Sequence, residues 1–459
     1  MEVEIISRQC IKPSSPTPIH LKTHNLSILD HFMPPIYIPM VLFYSADQST
    51  KSIIHIQQKL QQLKESLSQV LTQFYPFAGR IKDNFTIDCN DEGIQYTEAK
   101  ASCSLVEFFS QSNFSSFIHK LVPNQPIWEA SIEGYTTMIQ VTCFTCGGIV
   151  IGTLISHMIA DGASASFFLN SWASSSRREF QHEFALPSFD SPFPRSNSCL
   201  QDTNVMALCG QFLNKGRLAI RRFLFNAEAI SKLKAQASSL TVQNPTRVEV
   251  VTSLLWKCAA NAFRANSVLE RPTLVTHAVN MRRRVSPNFP NSCMGNFVWM
   301  ITALLSAKEK VTELPDLVIK LREAGTSINS DFVKGFQGEG GLAKYSEFLK
   351  QLIETASSAT FTNGVNYVHY TSWCNFGLYE VDFGWGKPIW VSCTAASSPD
   401  DAVFFNSVVL MDTPDGKGIE VWIYLIEDDM AMFQLDKELL NFVTSDPNPL
   451  HLKDYISKV

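Results

Sequence analysis

The stretch LISHMIADG, residues 154–162, sets a histidine and an aspartate four positions apart, behind an apolar run and ahead of a glycine. An imidazole with its ordinary pKa near ~6.5 can take a proton from an alcohol and pass it to a leaving group around neutral pH. At a strand exit, His157 could be held by packing while one ring nitrogen faces a cleft. The bland alternative is a core histidine with a coincidental neighbour, and His-x-x-x-Asp alone does not separate the two. Other chemistries leave their own marks. No Gly-x-Ser-x-Gly elbow points to an acyl-enzyme, and no His-Glu-x-x-His points to a metal. Gly-x-Gly-x-x-Gly and Walker A loops are missing too. A working His157 therefore fits direct transfer between two bound substrates, with no metal, permanently bound cofactor or covalent intermediate.

The elements around it are legible in part. Residues 138–157 read as two buried strands joined at Cys146-Gly147-Gly148, the second ending at His157, and 163–176 as a helix with Phe168 and Trp172 one turn apart. Upstream, Ile56, Leu60, Leu63, Leu67, Val70, Leu71 and Phe74 share one face at 3.6-residue spacing and predict a helix over 53–74, stopped by Pro76 and Gly79. Residues 85–99 read as a hairpin about an Asn90–Gly93 turn. The Pro-, Ser- and Asn-rich stretch 178–222 carries no sustained period and reads as a connector. A helix follows over 226–240. Thr246 and Glu249 then form a capping box that opens a buried helix over 250–263. Strands are expected at 272–280, 296–305, 389–393, 405–411 and 418–426. Strands and helices mixed in both halves predict an α/β sandwich built twice, from 1–180 and 222–459, with 181–221 as linker.

Bulk properties narrow the function classes. A chain of 459 residues exceeds one ordinary core. A net charge of −5 with scattered Lys and Arg argues against nucleic acid, although the run MRRRV (281–285) could meet the polyanionic tail of a substrate. Eleven cysteines at irregular spacings suggest reduced thiols in the cytoplasm. The N-terminus lacks a secretory pattern, and no apolar run approaches the ~20 residues that span a bilayer. On that reading the sequons at Asn25, Asn84 and Asn113 are accidental.

A second stretch, VDFGWGKP (381–388), lies more than two hundred residues from the histidine motif, and the two together resemble the plant BAHD acyltransferases. The resemblance runs through nearly the whole chain: KPSSPTP (12–18), LSILD (26–30), FYPFAGRI (74–81), DCNDEG (88–93), VNMRRRVSPNFPNSCMGN (279–296) and TSWC (371–374) match the family's elements in order. IKPSSPTP, TRVEVVTSLLWK and SWCNFGLYEVDFGWGKPIW resemble most the branch with vinorine synthase and salutaridinol acetyltransferase.

The resemblance implies two similar chloramphenicol-acetyltransferase-like mixed-sheet domains with a channel between them, in a monomeric enzyme of specialised metabolism. Acyl-CoA, acetyl-CoA by analogy, would meet a small-molecule alcohol such as an alkaloid there. His157 would be the general base, and Trp373 of the Ser-Trp element would stabilise the oxyanion. Asp161 would pair with Arg282, or failing that Arg284, in a structural role beside Gly162. Asp382, Gly384, Trp385 and Gly386 would organise the CoA-side domain. Thr252, Ser253, Lys257, Arg283, Arg284, Thr371 and Ser372 are the candidate CoA neighbours, with helix capping and solvated surface as their bland readings. Asn375 stands where close relatives often carry arginine, which favours an uncharged or cationic acceptor. Acyl transfer from a longer acyl-CoA to a sugar, terpenol or other alcohol, N-acyl transfer, and a degenerate ligand-binding relative remain as alternatives.

Overall fold

The computed structural model describes residues 1–46, 53–125, 133–177, 185–197, 210, 212–267, 269–307, 313–356, 364–393 and 402–452. Two mixed sheets organise it. The first has six strands in the spatial order Val3–Ile11, Ile94–Ala101, Thr137–Cys143, Ile149–Ser156, Tyr37–Tyr44 and Trp390–Ser392. The second has seven: Val298–Leu305, Thr273–Asn280, Asn366–Ser372, Ser407–Asp412, Ile419–Ile426, Leu218–Phe225 and Thr444–Ser445. Each mixes antiparallel ladders with parallel ones, Ile94–Ala101 with Thr137–Cys143 in the first and Asn366–Ser372 with both neighbours in the second.

The apolar runs fold as their composition demands. Every residue of Ile149–Ser156 is buried, because the strand is central in its sheet and covered on both faces. Helices Ile53–Leu71 and Gly162–Ser176 cover that sheet together. The Trp172 indole donates to the Leu63 carbonyl and to Ser66 Oγ, both at 3.1 Å. The second sheet carries helix Arg247–Asn266, opened by the expected box: Glu249 N donates to Thr246 Oγ1 at 3.2 Å, and Thr246 N to Glu249 Oε2 at 2.7 Å. A third apolar cluster packs Ile28, Leu29 and Phe32 from the first half against Phe297, Trp299 and Tyr345 from the second.

Three expectations need correction. Residues 85–99 are not a hairpin: Thr86–Asp88 pairs in a small separate sheet, whereas Ile94–Ala101 pairs with Val3–Ile11 in the large one. Two extended runs around a turn do not say whether they pair with each other. The linker ends sooner than its composition suggested, since strand Leu218–Phe225 belongs wholly to the second sheet; residues 181–184, 198–209 and 211 of that linker lie outside the described residues. The strand expected at 389–393 forms at Trp390–Ser392, but as an edge of the first sheet, paired with Tyr37–Tyr44. This crossing is fastened from the second sheet, where Glu420 accepts the Trp390 indole N–H at 3.0 Å and pairs with buried Arg222 at 3.2 Å.

Candidate active site

His157 follows directly on Ile149–Ser156, and its backbone N–H donates to the Ile36 carbonyl at 2.8 Å. Its Nδ1 lies 2.9 Å from Asn296 Oδ1. The Asn296 amide nitrogen donates to Asp30 Oδ1 at 2.9 Å and to the His157 carbonyl at 2.7 Å, which orients the amide and leaves its oxygen to the imidazole. Nδ1 therefore carries the proton, and Nε2 is the lone-pair nitrogen. Asp30 is itself held: Oδ2 accepts from Ser27 N at 2.8 Å and Ser27 Oγ at 2.7 Å, and Oδ1 also accepts Asn296 N at 2.8 Å. Burial lowers the His157 pKa below 6.5, only partly opposed by the charge of Asp161 and the Asn296 hydrogen bond. The imidazole is neutral near pH 7, the state a general base requires.

Asp161 makes no part of this relay. It caps helix Gly162–Ser176, with Oδ1 accepting from Ser164 N at 2.8 Å, while Oδ2 takes Arg282 Nη1 at 2.6 Å and Phe297 N at 3.0 Å. Both partners of the ion pair are buried. Burial disfavours the carboxylate, but Arg282 and the two N–H donors outweigh it and hold its pKa below the usual carboxylate value. Arg282 Nη2 also reaches Ser164 Oγ and the Cys293 carbonyl at 2.9 Å. The next residue, Gly162, faces the Phe376 ring: an added Cβ would meet Cε2 at 2.6 Å.

His157, Asp161 and Gly162 line a cavity of about 770 Å³ with walls from both halves of the chain. Thr371, Ser372 and Trp373 line it from the second half, together with Trp299, Phe376 and Phe405, and Phe32 lines it from the first. A further histidine, His369, lines the same cavity; burial first, then the charges of His277 and His157, push its pKa down to about 3.

The other CoA candidates do not gather at this cavity. Thr252 and Ser253 are wholly buried within helix Arg247–Asn266, which corrects their assignment: a helix face apolar enough to be core carries its small polar residues inward with it. Lys257 is paired with Glu438 at 2.8 Å, so its charge is engaged within the domain. Arg283 and Arg284 stand exposed just after Arg282, which is buried with Met281 in the same short turn and points into the core. Arg284 Nη1 reaches the Gly325 carbonyl at 3.3 Å. Asn375 is turned away as well. It sits at φ 65° and accepts from Arg247 at 3.1 Å, so its amide says nothing about the acceptor's charge.

The DFGWG loop is held together by its own aspartate. Asp382 Oδ1 accepts the backbone N–H of Gly384 at 2.8 Å and of Gly386 at 3.0 Å, and both glycines have φ above 100°. Phe383 and Trp385 then pack on the first half, Phe383 against Trp172 at 4.8 Å and Trp385 against Tyr44 at 6.4 Å. The loop therefore fastens the chain to the first sheet just before it adds strand Trp390–Ser392.

Sequence reasoning missed Asn296 and Asp30 as site residues. Ser27-x-x-Asp30 carried a readable capping signature, but nothing local reveals that the second Asp30 oxygen is held by residue 296. Cys143 and Cys146, in a Cys-x-x-Cys spacing, are free thiols. No group of His, Cys, Asp or Glu among the described residues could hold a metal. No described helix is long and apolar enough to cross a membrane.

Comparison with known proteins agrees with this geometry. Residues 1–440 match the family model described as the transferase family. The chain is 44% identical over 460 residues to an epi-neemfruitin B 7-O-acetyltransferase of Melia azedarach, covering 98% of this chain and 100% of that one. A limonoid 7-O-acetyltransferase of Citrus sinensis is also 44% identical, over 465 residues, at 98% and 100% coverage. The crystal structure of vinorine synthase superposes with a TM-score of 0.77 at 33% identity, covering 97% of this chain and 99% of that one. The chain thus belongs to the transferase family of BAHD acyltransferases and is an acyl-CoA-dependent acyltransferase of that family.

Proposed function

We propose that this enzyme transfers an acetyl group from acetyl-CoA to a hydroxyl of a neutral, polycyclic plant metabolite of the limonoid kind, directly within a ternary complex. His157 Nε2 takes the hydroxyl proton as the alcohol oxygen attacks the thioester carbonyl. The developing oxyanion accepts a hydrogen bond from the Trp373 indole. Collapse expels the CoA thiolate, which takes the proton back from the imidazolium. Nδ1–H stays on Asn296 throughout, so the ring is held in one tautomer while Nε2 cycles. The observation that carries the reading is the Asp30–Asn296–His157 chain, which poises a neutral imidazole at the wall of a cavity shared by both halves.

The acceptor class rests on two supports. The relatives at 44% identity are named for limonoid or epi-neemfruitin B 7-O-acetylation. Among the described residues lining the cavity, the one carboxylate, Asp161, is spent on Arg282, so a protonated alkaloid amine would lose hydration without gaining a partner. This moves the expectation from an alkaloid to a neutral alcohol.

The test is free-thiol release from acetyl-CoA with purified enzyme and a panel of limonoid alcohols, alkaloid alcohols and amines. Turnover with a limonoid alcohol, falling about 10²- to 10⁴-fold in His157→Ala, is expected. Equal, substantial turnover by both proteins would rule out the base. Turnover confined to amines or alkaloids would overturn the acceptor.

A further inference from the structure

The cavity holds a second polar group that the transfer chemistry does not use. Thr276 and His369 are direct partners across the parallel ladder between Thr273–Asn280 and Asn366–Ser372, and both face the cavity. Thr276 Oγ1 lies 2.9 Å from His369 Nδ1 and 2.9 Å from the Tyr367 hydroxyl, two positions back on the same strand face. Tyr367 is fixed by stacking on Phe212 at 4.4 Å and by Phe405 edge-on at 6.2 Å. His277, the residue after Thr276, is not among the cavity lining and stacks on Tyr370.

The threonine hydroxyl brings one proton and two lone pairs to its place between a phenol and an imidazole. The favourable order runs from the most acidic hydroxyl to the most basic nitrogen. Tyr367 donates to Thr276, and Thr276 donates to His369 Nδ1. That order places the imidazole proton on Nε2, as a donor. With that order, His157 and His369 would hold opposite tautomers on the walls of one cavity, His157 offering a lone pair and His369 an N–H.

We propose that Tyr367, Thr276 and His369 form a specificity subsite that donates a hydrogen bond from His369 Nε2–H to a carbonyl or ether oxygen of the acceptor, remote from the hydroxyl being acylated. The proposal deepens the acceptor class given above and rests on that reading. An uncharged donor set in an aromatic wall suits a neutral ring oxygen. The wall around it, Phe212, Phe405 and Tyr367, is aromatic and offers flat faces to a rigid ring system. A site that hydrogen-bonds an oxygen discriminates against the analogue lacking it, because its own donor is then left buried and unpaired.

Two neutral tetracyclic probes test this: epiandrosterone, with a ring ketone at the end opposite its hydroxyl, and 5α-androstan-3β-ol, identical but for the ketone. Binding is read by quenching of tryptophan fluorescence, since Trp299 and Trp373 line the cavity. Wild type should bind the ketone about 5- to 10-fold more tightly, one ordinary hydrogen bond's worth. His369→Leu and the near-isosteric Thr276→Val should each abolish that preference while leaving the affinity for acetyl-CoA unchanged, and Tyr367→Phe should reduce it. A preference that survives His369→Leu in a folded protein, no preference in wild type, failure of wild type to bind either probe, or a loss of acetyl-CoA affinity in the variants would each overturn the subsite. Thiol release with the same probes separates this from the proposed reaction. A ketone preference that depends on His369, with no transfer to any alcohol tested, would sustain the subsite and sink the acetyl transfer.

Discussion

Replacing Asn296 by alanine should damage catalysis through a residue that never meets either substrate's reacting atoms. The amide oxygen receives His157 Nδ1–H at 2.9 Å, and the amide nitrogen ties down the His157 carbonyl at 2.7 Å. Asn296 is 1% exposed, so water does not readily take over these roles. A neutral hydrogen bond contributes about 0.5–1.5 kcal/mol and one to a charged group about 1.5–3, so the bond strengthens by roughly 1–2 kcal/mol as imidazole becomes imidazolium. That differential alone is worth about 5- to 30-fold in kcat at 1.36 kcal/mol per decade. The freed ring can also place its proton on Nε2, where it cannot act as base, and the total loss should reach about 10- to 100-fold. Stability should fall by about 1–3 kcal/mol, as buried groups lose partners. The assay is steady-state thiol release well below the variant's unfolding temperature, varying acetyl-CoA and acceptor separately. The expected split is a reduced kcat with an unchanged KM for acetyl-CoA. A variant with kcat within about twofold of wild type, alongside an inactive His157→Ala, would refute the orienting role.

Asp161→Ala and Arg282→Ala should each cost about 3–5 kcal/mol of stability by stranding a buried charge, whereas the double variant carrying both substitutions should lose less than the two single losses combined. Denaturant midpoints for the set decide this, and strictly additive losses would contradict the pairing. Stability should also depend on pH with a definite sign. Burial lowers the pKa values of His24, His31, His119, His157, His277 and His369, so the folded chain binds fewer protons than the unfolded one once the pH drops below 6.5. The stabilisation is complete above 6.5 and drains away towards the lower folded values, His369 persisting to about 3; Glu420 and Asp429, whose pKa values are raised, oppose this as their own range is reached. Thermal unfolding should show a plateau above about pH 7 and a falling Tm from about pH 6.5 to 5, and a Tm that rises on acidification over that span would contradict the burial of these rings.

Local pattern was enough for much of the fold. Helix 53–71 declared itself by one apolar face, helix 247–266 by its capping box, and the strand leading to His157 by a strand-length, mostly apolar run behind the glycines of its turn. These signals lie within a few residues of what they describe. The pairing of Asp161 with Arg282 came instead from family resemblance, and the structure places the two at 2.6 Å across 121 positions.

The sequence by itself determined a mixed α/β chain in two halves with a histidine ending a buried strand, because composition and period are properties of the chain, and the order of its motifs carried the resemblance to BAHD acyltransferases. Tertiary structure alone decided which nitrogen of that histidine is free. The deciding amide belongs to residue 296 and is oriented by Asp30, 266 positions earlier, so no local window contains the network. It also decided that strand 390–392 joins the other half's sheet, and that Thr252 and Ser253 face core rather than cofactor. A strand's partner and a helix's rotation are set by whichever neighbours exclude water best, and those neighbours are distant in sequence.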